Sequence, residues 1–279
     1  MDERKVICWF SGGVTSAVAC KLAIDHYGPD KCRCIFMDTK NEDDDTYRFM
    51  GNCEKWYGVP IETITRTDYN SIQEVWRKFN SLNVAHGAIC SSELKRDLRK
   101  EWEKSNKYIY QVFGFDIDEP KRAKSMTLNY PNAKPIYPLL LHGYSKKHCI
   151  EILIDADIEI PVTYKYGFHN NNCFKTGCVQ GGIGYWQKMQ REFPDKFNAM
   201  ADMEHELTEA KGVPVTMLKD QSKAGGKVFL RHHPKYPYMK DISMMKGREP
   251  KPLTDCNGFC SINDLERNPT ELELNFENY

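Results

Sequence analysis

An apolar run, Val6-Ile7-Cys8-Trp9-Phe10, ends in Ser11-Gly12-Gly13 and is followed by Val14, Thr15 and Ser16. Adjacent glycines let the backbone bring its N–H groups close to an anion. A helix beginning there adds the partial positive charge of its N-terminus. The hydroxyls of Ser11, Thr15 and Ser16 can supply further hydrogen bonds, so the chemistry expected of this turn is phosphate binding. It is neither the dinucleotide fingerprint nor the Walker motif, because the third glycine and the Gly-Lys-Ser/Thr ending are both missing. On these few residues alone, an ordinary tight turn with a serine cap competes with the phosphate reading.

The second set of reactive residues is sulfur. The chain has eleven cysteines in 279 residues. No secretory leader is visible and the count is odd, which argues against a disulfide framework. Cys8, Cys20, Cys34 and Cys149 sit in apolar periodic segments and read as small buried hydrophobes. Cys173, Cys178, Cys256 and Cys260 lie instead in polar, glycine-rich loops, with four residues between the first pair and three between the second. Four thiolates suit tetrahedral zinc or an iron–sulfur cluster; unrelated reduced thiols are the plainer alternative. Cys90 precedes Ser91-Ser92-Glu93 at an expected helix N-terminus, where the dipole favours a thiolate. Cluster ligand, persulfide carrier and unreactive pocket thiol all remain open for it.

These residues need a scaffold. Strands are expected at 5–10, 32–37, 60–65 and 108–113, alternating with helices at 15–27, 42–57, 72–79 and 91–104. A further helix spans 145–156. Strands alternating with helices argue for a parallel sheet covered on both faces. The expected fold class is α/β, Rossmann-like, with a loop-and-helix C-terminal region tied on by cysteines. The division expected is an α/β nucleotide-binding domain over 1–160 and a helical, cysteine-containing region over 161–279. After residue 160 the texture changes: 164–184 reads as loop, a helical stretch from Tyr185 breaks near Pro194 and ends by Lys211-Gly212, and periodicity then weakens. Tyr185 and Trp186 read as packing residues, and His232-His233 as basic surface.

Lysine plus arginine and aspartate plus glutamate both number 39, so no global field drives the chain onto nucleic acid or membrane. No apolar run approaches a membrane span. A soluble, cytoplasmic protein without a membrane partner is expected.

Taken together with segments further along, the glycine turn gains meaning. Ser11-Gly12-Gly13-x-x-Ser16 after the first strand resembles the PP-loop of the adenine-nucleotide α-hydrolase superfamily. Colinear segments are similar to its phosphoadenosine-phosphosulfate-reductase-like branch: Asp38-Thr39 at the second strand's end, Cys90 through Lys95, Gly114 with Asp118-Glu119 and Arg122, and Tyr137-Pro138-Leu139-Leu140. Asn172-Cys173 through Trp186 looks like a segment that PP-loop relatives pair with a C-terminal cysteine cluster.

The resemblance implies a nucleotide held by Ser11, Gly12, Gly13, Val14, Thr15, Ser16, Asp38, Thr39, Gly114 and Glu119. Cys90, Lys95 and Arg122 are its candidate catalytic residues, and Cys173, Cys178, Cys256 and Cys260 its candidate metal ligands. The implied cofactors are ATP or adenylyl sulfate, Mg²⁺, and a [4Fe–4S] cluster or, alternatively, Zn²⁺. The implied partners are the adenine nucleotide, a persulfide-donating cysteine desulfurase or a reductant, and a nucleic-acid acceptor; a homo-oligomer is compatible with the chain.

Two departures bear on mechanism. Many PP-loops carry lysine after the second glycine, where this chain has Val14-Thr15. Phosphate charge then falls to the helix end, to Mg²⁺, or to Lys95 or Arg122. Reductases of this branch also carry a single catalytic cysteine near the C-terminus, where this chain has the pair Cys256 and Cys260. The expected activity is cleavage at the α-phosphate, releasing pyrophosphate and forming an adenylated intermediate for sulfur transfer, including nucleic-acid thiolation of the DNA phosphorothioation type. Reduction of adenylyl sulfate or phosphoadenylyl sulfate, and a non-catalytic nucleotide-binding subunit, are the alternatives.

Overall fold

The computed structural model describes residues 5–84, 87–220 and 226–253. Strand β1 (Val6–Phe10) leads into α1 (Val14–Tyr27), β2 (Cys32–Met37) into α2 (Asp44–Tyr57), and β3 (Ile61–Ile64) into α3 (Ile72–Phe79). A short antiparallel pair, β4 (Asn83–Val84) and β5 (Gly87–Ala88), precedes α4 (Ile89–Ser91), a π-helical turn (Ser92–Asp97) and α5 (Leu98–Ser105). The first part ends with β6 (Tyr110–Val112), α6 (Pro120–Asn129), β7 (Pro135–Ile136), α7 (Pro138–His142) and α8 (Lys146–Asp155).

Strands pair in the order β3-β2-β1-β6-β7, all parallel. The chain thus winds one way from β1 through β3 and the other way from β6, and the reversal lies between β1 and β6. Crevices at such a reversal, outside the carboxyl ends of the strands, are where doubly wound sheets take ligands.

Strand periodicity explains why both faces are covered. Val6, Cys8 and Phe10, with Cys32, Cys34 and Phe36, point to one face and pack against α1, α2 and α8. Ile7 and Trp9, with Ile35 and Met37, point to the other and meet Phe113, Phe115, Ala123 and Met126. A sheet buried on both sides reads as continuous apolar runs, as these strands do. The thiols of Cys8, Cys20, Cys34 and Cys149 are all buried, as apolar periodicity indicates.

Beyond α8 come α9 (Val162–Lys165), α10 (Ile183–Glu192), α11 (Pro194–Lys211), and β8 (Leu218–Asp220), β9 (Gly226–Phe229) and β10 (Lys240–Asp241). The three strands form a second sheet in the order β10-β9-β8. This corrects the loop-and-helix expectation for the C-terminal region: the strands are two to four residues long, too short to register as alternation. Tyr185 and Trp186 are buried in a core that joins this region to α3 and α4. His233 is buried too, against His205, Phe229 and Tyr236, so only His232 of that pair faces solvent.

Further differences concern element bounds. The helix expected at 91–104 is broken into α4, the π-turn and α5. The wider turn lets Leu94 and its neighbour Lys95 both face inward. Helix α6, opened by Pro120 at its first turn, had no sequence reading, because its apolar face is only Ala123 and Met126.

Candidate nucleotide site

The turn after β1 is built as a phosphate loop would be. Gly12 sits at φ +82°, and a Cβ there would lie 2.7 Å from the Thr46 methyl, so the position needs glycine twice over. Gly13 caps α1 in extended conformation without a side-chain hydrogen bond. The first turn of α1 carries no acidic residue, leaving its dipole unopposed at the N-terminus. Gly114, just past β6, approaches from across the reversal. A Cβ on it would meet the Ser16 backbone at 2.7 Å, so β1, α1 and β6 converge here with no room for a side chain.

The hydroxyls divide their work differently from the sequence expectation. Ser16 Oγ donates to the Gly13 carbonyl at 2.9 Å and accepts from the Ser11 amide and hydroxyl at 3.0 Å each. Its single proton is therefore spent on shaping the turn, not offered to a phosphate. Asn171 reinforces the turn from the far end of the sequence: its amide donates to the Gly12 carbonyl and to Thr46 Oγ1, both at 2.9 Å, and its own oxygen accepts from Thr163. Tyr164, on α9, places its hydroxyl 3.3 Å from the Val14 amide.

Asp38 and Thr39 end β2, beside β1. Asp38 accepts from the Lys40 amide at 2.7 Å and from the Tyr47 hydroxyl at 3.0 Å. Burial, with the Asp38 carboxylate second, pushes the Tyr47 phenol well above its usual range, so it stays a donor. Thr39 Oγ1 donates to Glu42 at 3.0 Å and lies 3.4 Å from Cys173 Sγ. Glu42 in turn faces Lys95 Nζ at 3.5 Å, and both residues are buried. Lys95 is therefore the inner half of an ion pair aimed at the β2-end loop, not a member of a solvated basic face.

Arg122 pairs with Glu119 and stacks on Phe115, its guanidinium carbon 4.5 Å from the ring centroid. Cys90 lies in α4, two residues before the π-turn, in the same buried core as Cys173 and Cys178. Cys173 and Cys178 are buried and form no disulfide. Asn172 donates to Cys178 Sγ at 3.9 Å, and Tyr185 accepts from the Cys178 amide. Cys256 and Cys260 lie outside the described residues. Among the described residues no group of three or more histidine, cysteine, aspartate or glutamate side chains is placed to hold a metal ion.

Glu42, Tyr47, Tyr164 and Asn171 escaped the sequence reading. Glu42 reads there as the start of a helix, and its burial depends on Lys95, 53 positions away. The Asn170-Asn171-Asn172 run was visible, but only as loop texture.

A glycine turn and a further glycine thus meet at the reversal point of a parallel α/β sheet, the place where sheets of this class take ligands. Residues 5–169 match the phosphoadenosine phosphosulfate reductase domain, and the chain belongs to that family. No curated protein matches it. Among solved structures, the phosphoadenylyl-sulfate (PAPS) reductase from Candida auris, in its phosphate complex, is similar at 15% identity and a TM-score of 0.47, over 61% of this chain and 81% of that one. Among the described residues no helix is long and apolar enough to cross a membrane.

Proposed function

We propose that the protein is an adenine-nucleotide enzyme of sulfur metabolism that cleaves ATP, or a related adenylate, at the α-phosphate. The observation that carries this is the double-glycine turn held open at the β1/β6 reversal, inside the segment that matches the family. A substrate oxygen would attack the α-phosphorus; the bond to the bridging oxygen breaks, pyrophosphate leaves, and an adenylated substrate remains. Sulfur then displaces AMP. The amides at the start of α1 would stabilise the charge growing on the leaving group, and Mg²⁺ arriving with the nucleotide would supply further charge neutralisation. Nucleic acid is the acceptor class, and a persulfide carried on Cys90 or on an external donor the sulfur source; its terminal sulfur displaces AMP, and a second thiol, the reductant, then cleaves the resulting S–S bond to release the thiolated product.

The family's own domain favours a second reading, reduction of adenylyl sulfate or its 3′-phosphorylated form. Product analysis separates them. AMP and pyrophosphate appearing together support adenylation; sulfite formed from an adenylyl sulfate supports the reductase; ADP and orthophosphate exclude both. Tight binding with no turnover of either substrate assigns a regulatory nucleotide-binding subunit.

A four-cysteine metal site is part of the proposal. Cys173 and Cys178 are not disulfide-bonded and lie close in the chain, with the chemistry of soft ligands, and Cys256 and Cys260 would complete the set. Anaerobically prepared protein should hold iron, with broad absorbance near ~400 nm, or one equivalent of zinc. Each single Cys→Ser change at the four positions should lower the metal content, while Cys20→Ser should not. Metal-free protein, or metal retained in all four variants, contradicts the site.

A further inference from the structure

Tyr164 belongs to none of the motifs that mark the turn, yet its hydroxyl is the side-chain group set against the first amide of α1. The Val14 N–H points at Tyr164 Oη over 3.3 Å, and a Cβ on Gly13 would lie 3.4 Å from the same oxygen. In a helix the first four amides have no intrahelical acceptor. The oxygen facing the Val14 amide therefore occupies the neighbourhood where a phosphate oxygen would sit. At 3.3 Å the bond is longer than the usual N–H···O range and weak. A charged oxygen, bonded more strongly, can take the amide over. The displaced phenol can then turn its O–H toward the newcomer, because a hydroxyl both accepts and donates.

The surroundings hold Tyr164 to this task. Its ring packs against the core that also contains Val14 and Ala17. Thr163, next to it, donates to Asn171, whose amide holds the Gly12 carbonyl. Both ends of the glycine turn are thus gripped by one short segment, residues 163–171. The chain lacks a lysine after Gly13, so a neutral donor in this position supplies one hydrogen bond that the loop itself does not.

We infer that Tyr164 is a phosphate-binding residue of this site, donating its phenolic proton to the phosphate oxygen that the α1 amides receive. The inference rests on the phosphate-loop reading of the turn. A hydrogen bond to a charged acceptor is worth roughly 1.5–3 kcal/mol, so Tyr164→Phe should weaken binding by about 10- to 100-fold. The loss should appear with inorganic pyrophosphate as well as ATP, since the contact is to phosphate and not to the base. The ring stays in place, so the denaturation midpoint of the ligand-free variant should match the unaltered protein.

Calorimetric titration of the full chain, Tyr164→Phe and Gly12→Ala with both ligands decides the matter. Parallel losses for ATP and pyrophosphate in Tyr164→Phe, with unchanged stability, are expected. If Gly12→Ala abolishes binding and Tyr164→Phe leaves it unchanged or tightens it, the tyrosine assignment is overturned and the phosphate loop survives. If the unaltered protein binds neither ligand, or Gly12→Ala binds normally, the loop reading itself fails and takes the tyrosine with it.

Discussion

Gly114→Ala probes the point where the two halves of the sheet meet. The backbone at Gly114 is one that alanine adopts without strain, so the effect comes from space alone. Its Cβ would lie 2.7 Å from both the Cα and the N of Ser16 and 2.9 Å from the carbonyl carbon of Thr15, all backbone atoms. Ordinary contact begins at 3.4 Å, so the start of α1 must retreat by about 0.7 Å. Overpacking of this kind costs about 1–3 kcal/mol. The same shift displaces the α1 amides to which the proposed function assigns the phosphate; misplacement on the 1 Å scale costs on the order of 100-fold in a positioned site. Gly114→Ala should therefore lower the denaturation midpoint and weaken nucleotide binding by about 10- to 100-fold. Gly51→Ala is the control: it lies within α2 with nothing within 4 Å of its Cβ position, and should gain about 0.5–1 kcal/mol from helix propensity without touching binding. A Gly114→Ala protein with unaltered stability and affinity would refute the claim that β6 presses α1 into place.

The buried Glu42–Lys95 pair should show strong coupling: Lys95→Met alone strands a buried carboxylate and should cost about 3–5 kcal/mol, while adding Glu42→Gln should recover a large part of it. Denaturant unfolding of the three variants measures the coupling, and additive losses would contradict it. Glu204 on α11 is buried, and its two oxygens accept from the amides of Met217 and Leu230 at 2.8 and 2.7 Å. Burial nonetheless pushes its pKa from 4.5 up to about 8, so between those values the folded state holds the extra proton and stability falls as pH rises, levelling off above about 8. The slope from this one group is at most about 1.4 kcal/mol per pH unit. Comparing denaturation of the protein with Glu204→Gln from pH 5 to 9 should show the protein losing stability relative to the variant as pH rises; a constant difference contradicts the assignment.

Much of the fold was legible because its signals are local. The apolar runs of β1 and β2 mark a sheet buried on both faces, and Gly28 and Gly58 stop α1 and α2 where the periodicity ends. Gly12 announces itself by adjacency to Gly13. The pieces that stayed hidden depend on distant partners. Asn171 and Tyr164 reach the turn across some 150 positions, and Glu42 looks like an ordinary surface carboxylate until Lys95 is placed beside it. The π-turn after Cys90 is a one-residue widening that leaves no mark in composition. The β8–β10 sheet is made of strands too short to alternate.

The central claim is that the turn between β1 and α1 holds the phosphates of an adenine nucleotide. Calorimetry of anaerobically prepared protein with ATP and with phosphoadenylyl sulfate, repeated on Gly12→Ala and Gly13→Ala, tests it most directly. Gly12→Ala combines a left-handed backbone with a 2.7 Å clash against Thr46, whereas Gly13→Ala has room for its Cβ. The account predicts one-site binding of at least one nucleotide, abolished in Gly12→Ala and weakened less in Gly13→Ala, with cooperative unfolding kept in both. Absence of binding in the unaltered protein, or undiminished affinity in Gly12→Ala, would contradict it.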